Sequence, residues 1–197
     1  MTTWVILASG PSLSRTDIDI TRGKALVIAV NDAYKLAPWA DILYASDRAW
    51  WDLHADALVS FRGQRYTHDL NNRTWTTTMA RRGMNIVHGL NLDGVSTQPG
   101  EIHLGANSGF QALNLAITMG ATKIILTGFD MIAHDGKTHF FGDHPKPLRN
   151  DSPYPLFRQA FNKAAPQIAA LDIDVVNCTR RTALQCFRKS TMRDELP

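Results

Sequence analysis

Residues 4–13 read WVILASGPSL. A short, unbroken apolar run suits a strand buried on both faces, and the Gly10-Pro11-Ser12 that follows is turn chemistry. A turn directly after such a strand is where α/β proteins hold phosphate groups. Runs of the same character recur as ALVIAV (25–30), DILYAS (41–46), KIILTGF (123–129) and DIDVVNC (172–178).

Helical patterns lie between these runs. NSGFQALNLAITMG (107–120) spaces Phe110, Leu113 and Ile117 for one helix face and ends on Gly120, a usual helix stop. PLFRQAFNKAAPQIAAL (155–171) reads as a second helix, broken or kinked near Pro166. Alternation of strand and helix implies an α/β fold with a Rossmann-like, doubly wound, mostly parallel sheet. Residues 62–104, rich in Gly, Asn, Arg and Thr, read as an irregular insertion beside the sheet and part of a ligand cleft. They hold one short candidate strand, NIVHGL (85–90). Residues 132–154, with Gly136 and Gly142 and several prolines, read as a loop. No repeat or low-complexity tract is present.

With 197 residues, a single domain with a substantial core is expected over 1–197. The net charge of +3 permits an anionic partner without requiring one. Much of the excess sits late, in Arg180, Arg181, Arg188, Lys189 and Arg193, and reads as a solvated surface. Cys178 and Cys186 do not have metal-ligand spacing and suit a reducing compartment. Charges interrupt every apolar stretch, and no basic segment leads into a long apolar core near the start. A cytoplasmic protein without a membrane partner is therefore expected. Trp4, Trp39, Trp50 and Trp51 read as packing residues, with Trp50-Trp51 near enough to Asp47 to edge a cleft.

Polar residues follow four of the buried runs: Ser9-Gly10-Pro11-Ser12, Asn31-Asp32, Ser46-Asp47 and Phe129-Asp130. In a parallel sheet these positions share one edge, where ligands bind. Gly10 would allow close approach to a ligand or a positive φ, and Ser12 would cap the next turn. GANSG (105–109) is a second Gly-rich turn before a long helix. There, backbone N–H groups with Asn107 and Ser108 suit an anionic or nucleotide group. The pattern is neither a Walker loop nor the full dinucleotide fingerprint. THFFGDHP (138–145) supplies His139, Asp143 and His144, and histidine is the side chain suited to accept a proton near neutral pH. No metal site is assigned.

Taken in order, SGPSL, AVNDAY, GANSGFQALNLAITMGATKIILTGFDM, THFFGDH and DIDVVNCTRRTAL resemble the bacterial sialyltransferases that use CMP-sialic acid. The same blocks resemble the archaeal 6-hydroxymethylpterin diphosphokinase-like proteins and short phage proteins of this kind. The resemblance runs from residue 3 to about 186 and is weak over 62–100. It implies a transferase of the glycosyltransferase type, using a nucleotide-activated donor and no other cofactor. Ser9 stands where the sialyltransferases have a nucleotide-contacting asparagine, and Gly10, Pro11 and Ser12 match. Asn31 and Ser108 match donor-binding residues, and His139 matches the general base. His144 falls one residue beyond the family's second histidine because Asp143 intervenes. The family's tyrosine-bearing lid is reduced here to DMIAHDGKT, without tyrosine.

Two other readings follow from the same residues. A diphosphokinase would use Asp32, Asp47, Asp130 or Asp143 to hold Mg²⁺ between ATP phosphates. A nucleotide-binding module would carry out no chemistry. Donor and acceptor stay open, with DNA or a modified nucleoside among the acceptors and a homo-oligomer among the assemblies.

Overall fold

A computed structural model describes residues 2–69, 71–145, 148 and 153–197. Nine strands form one sheet: β1 (Thr3–Leu7), β2 (Leu26–Val30), β3 (Ile42–Tyr44), β4 (Gln64–His68), β5 (Asn85–Leu90), β6 (Glu101–His103), β7 (Lys123–Thr127), β8 (Asp174–Asn177) and β9 (Arg188–Lys189). The helices are α1 (Arg15–Asp19), α2 (Arg48–His54), α3 (Arg73–Arg81), α4 (Ser108–Thr118), α5 (Tyr154–Ala170) and α6 (Met192–Glu195), with 3₁₀ turns at Asn31–Lys35 and Ala57–Ser60.

The strand order is β6-β5-β4-β3-β2-β1-β7-β8-β9, and every pairing is parallel. The chain winds outward from β1 to β6, returns to the middle, and winds the other way from β7. The reversal lies between β1 and β7, which pair from Thr3↔Lys123 to Leu7↔Thr127. Ligands of doubly wound sheets bind at the carboxyl end of such a reversal.

Side chains alternate across each strand, so β1 feeds two cores. Trp4, Ile6 and Ala8 pack with Phe110 and Leu113 of α4 and Phe161 and Ile168 of α5. Val5 and Leu7 face the other layer, with Ile18, Trp50, Trp51, Met79 and Met192. This double burial is why the central strands read as unbroken apolar runs. Among the described residues, no helix is long and apolar enough to cross a membrane.

Two expectations need correction. Residues 62–104 are not an irregular insertion: they continue the sheet by β4, β5 and β6, with α3 between β4 and β5. Only β5 was legible there, because QRYTH is almost wholly polar and EIH is a three-residue edge strand. Pro166 does not break α5, which runs through it. The proline is exposed, as is Asn162 four residues earlier, so the carbonyl that loses its helical donor can be hydrated. In the 132–154 loop, residues 146–147 and 149–152 lie outside the described residues. By contrast, Gly120 ends α4 as expected, with φ +82 just past the helix.

The late basic run is partly tied down. Arg180 forms a two-pronged pair with Asp17 at 2.7 and 3.0 Å, and Arg188 bonds both Asp174 and Glu195. Cys178 is buried, Cys186 is partly buried and both are free thiols; burial pushes them up to about 12 and about 11.

The β6 edge is fastened from inside. Asn114 of α4, fully buried, accepts the N–H groups of Ser96 (2.9 Å) and His103 (2.7 Å) and donates to Ser96 O (2.7 Å). Asn114→Ala would strand three buried backbone groups, each worth about 1–3 kcal/mol. Urea denaturation of this variant is expected to show a loss of at least ~3 kcal/mol. A loss below about 1 kcal/mol would contradict this account of the edge.

Candidate functional site

The carboxyl ends of β1, β2, β3 and β7 open onto a cleft of about 400 Å³, within the range of small-molecule sites. Its walls include Ser9 and Gly10 after β1, Asn31 after β2, Ser46 and Asp47 after β3, and Gly128 and Asp130 after β7. The α4 N-terminus contributes Asn107, Ser108 and Gly109, and the loop after β7 contributes Thr138, His139 and His144. Of the residues singled out in the sequence, Pro11 and Ser12 do not line it, nor do Asp32 and Asp143. Trp50 lines it, whereas Trp51 is turned into the core, donating from its indole to Ala45 O.

Three non-glycine residues on this rim have left-handed backbone: Asn31 (φ 50), Ala106 (φ 63) and Met131 (φ 53). Such conformations cost of order 1 kcal/mol or more, and they cluster where surrounding structure holds a site in shape. At Asn31 the amide oxygen Oδ1 is buried without a hydrogen-bond partner.

Gly10 also makes room for a neighbouring side chain. Its φ is not positive. A Cβ there would stand 2.1 Å from Asp130 Oδ2 and 2.4 Å from Gly128 O. The glycine therefore admits a neighbouring carboxylate at the wall of the cleft. Asp130, 1% exposed, accepts the Ser12 N–H at 2.9 Å through Oδ1, and His134 Nε2 stands 3.0 Å from the same oxygen. Burial raises the Asp130 carboxyl above the usual range, against the opposing pull of Ser12 and His134. Ser12 does not cap the next turn: Ser14 is the N-cap of α1 and accepts from Asp17 N.

At the α4 N-terminus, both ends of the Asn107 side chain are engaged locally. Oδ1 accepts from Phe110 N at 2.9 Å and Nδ2 donates to Gly105 O at 3.1 Å. Asn107 is therefore the helix N-cap. The Ser108 hydroxyl meets Ser46 Oγ at 2.8 Å, joining the helix to β3. The α4 dipole and its first N–H groups are left to favour an anion at this end of the cleft.

His139 is half-buried. Its Nδ1 lies 2.9 Å from Thr138 Oγ1, its ring stacks on Phe141 at 5.0 Å and 15°, and the His144 ring is 4.4 Å away. Burial, then repulsion from His144, pushes the imidazole down to about 4. His144 is lowered too, by burial against the attraction of Asp32 and Asp47. Both rings are thus neutral at pH 7. Nδ1 of His139 is engaged locally by Thr138.

Of the carboxylates considered for Mg²⁺, Asp47 and Asp130 line the cleft, whereas Asp32 and Asp143 do not. Asp32 is 3% exposed beneath the 3₁₀ turn, its oxygens taken by the Lys35 ammonium and the Trp50 indole N–H. Among the described residues no group of three His, Cys, Asp or Glu side chains is placed to hold a metal. Sequence reasoning missed His134, which has only a four-residue offset from Asp130 as its signal. It also missed Tyr154 and Phe157, where the first turn of α5 reaches the cleft. The chain matches no family model, no curated protein and no solved structure.

The buried imidazoles make stability depend on pH. His54, His68, His139 and His144 all bind protons more weakly folded than unfolded, in each case first through burial. From the ordinary value of 6.5 down to about 4 for His139, the unfolded chain holds more protons. Stability therefore rises with pH across that window. Asp32, lowered because Lys35 and Trp50 outweigh burial, adds the same sign below 3.8; Asp130, raised by burial, opposes the rise from 3.8 upward, in the lower part of that window. The denaturation midpoint is expected to climb between pH 4 and 6.5 and to climb less steeply in His139→Gln. A flat or falling profile in the wild type would contradict the burial of these rings.

Proposed function

We propose that the protein binds a nucleotide-activated donor in this cleft and transfers the activated group to an acceptor hydroxyl. One observation carries the reading: His139, held neutral and fixed by Thr138, shares a cleft with the N-terminus of α4. In the transfer, the acceptor oxygen bonds to the sugar carbon as that carbon's bond to the phosphate oxygen breaks. The bonding pair leaves with the phosphate, and the acceptor proton passes to the His139 imidazole. A hydroxyl becomes strongly acidic as its oxygen forms the new bond, so a base with a value of about 4 suffices and stays unprotonated at neutral pH. The α4 N-terminus favours the charge that develops on the departing phosphate.

The buried, unpartnered Oδ1 of Asn31 supports a donor-bearing ligand such as a ribose or base at that rim. The motif resemblance makes a cytidine-monophosphate sugar the first donor to try. Assembly on a DNA or modified-nucleoside acceptor, and a cytoplasmic site of action, belong to the same proposal.

Thermal shift with CMP, UMP, UDP, ADP and ATP, each with and without Mg²⁺, identifies the nucleotide, since stabilisation follows concentration over Kd. Asn31→Ala is expected to weaken binding of the best nucleotide by about 1–3 kcal/mol while leaving the fold intact. Unchanged affinity by calorimetry would remove Asn31 from the site. A diphosphokinase would instead bind ATP only with Mg²⁺.

His139→Ala is expected to lower turnover about 10²–10⁴-fold with little change in donor binding. In the wild type the rate should hold through pH 6 and fall as the ring protonates near 4. Full activity in His139→Ala with loss in His144→Ala would move the base to His144.

A further inference from the structure

The loop that carries His139 and His144 has almost no regular structure, yet among the described residues Phe140 packs against the core and three further contacts tie the loop down. Phe140 N donates to Ser9 O at 3.1 Å, which ties the loop to the turn after β1. The Tyr154 hydroxyl donates to Thr138 O at 3.3 Å, which ties it to α5. The third hold comes from Lys35, whose ammonium stands 5.9 Å from the centre of the Phe141 ring, within cation–π range. Phe141 in turn stacks on His139 and meets the His144 ring at 4.9 Å.

Lys35 is nearly half exposed and would be mobile on its own. Its position is set by Asp32, one turn back on the same 3₁₀ segment. Asp32 is itself immobilised: Oδ2 accepts the Trp50 indole N–H at 2.9 Å, and His54 Nε2 stands 3.6 Å from Oδ1. His54 stacks on Trp50 at 4.4 Å and meets the Tyr34 hydroxyl at 3.1 Å. A buried aspartate outside the cleft therefore governs both a wall residue, Trp50, and the cation that presses on the histidine loop.

We propose that Asp32 is a positioning residue for the His139–His144 pair, acting through Lys35 and the Phe141 ring; this rests on the proton-accepting role assigned to His139 above. The groups facing the two imidazoles are Asp143 on their own loop, Asp32 and Lys35 on the 3₁₀ segment, Asp47 before α2 and His54 within it. Asp32 favours the protonated form of both rings, whereas Lys35 opposes it at His144.

The test is an NMR titration of the histidine side chains in the intact chain, which needs no substrate and stands whether or not transfer is ever observed. In Asp32→Asn both rings should titrate lower by about 0.3–1 pH unit, the size for losing one nearby charge in a medium between water and protein. In Lys35→Met the His144 titration should move the opposite way. In both variants the ring-current shift of His139 from Phe141 should shrink. A merely structural Asp32 would lower the melting temperature and leave both titrations and the ring-current shift unmoved, which would overturn the proposal. If Asp32→Asn does not fold, Lys35→Met, altering a half-exposed side chain, decides on the same two readouts.

Discussion

The seam between β1 and β7 sets the geometry of everything that follows. Ladder bonds continue past the strand ends, from Ala8 N to Thr127 O and from Gly10 N to Gly128 O, each at 2.9 Å. Asp130 then lies across the seam, over the α-carbon of Gly10 and against the N–H of Ser12. Only glycine fits at position 10, because any Cβ would meet that carboxylate. The turn after β1 and the turn after β7 are thereby fixed to each other at the point where the sheet reverses its winding. The cleft is the space this reversal leaves between diverging connections.

The remaining site groups arrive through rules that each element obeys on its own. Parallel pairing sends Asn31 and Asp47 to the same edge as Ser9. The Asn107 cap starts α4 at that edge and aims its dipole there. The histidine loop has no such rule, and beyond the packing of Phe140 it is held by single contacts to Ser9, Tyr154 and Lys35. Burial within this loop lowers the proton affinity of His139, which keeps the ring neutral. Position and proton affinity thus both depend on how 138–144 packs.

Much of this was legible in the sequence because burial on both faces leaves an unmistakable trace. ALVIAV and KIILTGF have no other sensible reading in a chain of alternating strands and helices. The rim residues followed from position alone, and the helix stop at Gly120 from glycine's ease in the left-handed region. What stayed hidden was polar structure inside the fold. β4 is polar although it pairs on both sides, β6 is a three-residue edge strand, and β6 is held by Asn114 from a helix that otherwise reads as apolar. The engagement of Gly10 and Ser12 with Asp130 stayed hidden because Asp130 is distant in the chain. Asp32 looked like a metal ligand for the same reason: its partners Trp50 and His54 belong to another element.

The central claim is that the cleft at the β1–β7 reversal holds a nucleotide with its phosphate at the start of α4. A crystal structure of the complex with the nucleotide that most raises the melting temperature tests it most directly. The account places the phosphate within hydrogen-bond distance of the Ser108 and Gly109 N–H groups, with the nucleoside against Asn31 and His139 on the acceptor side. A nucleotide bound elsewhere, such as the groove at the opposite sheet edge between Trp4, Trp39 and Tyr66, would contradict it.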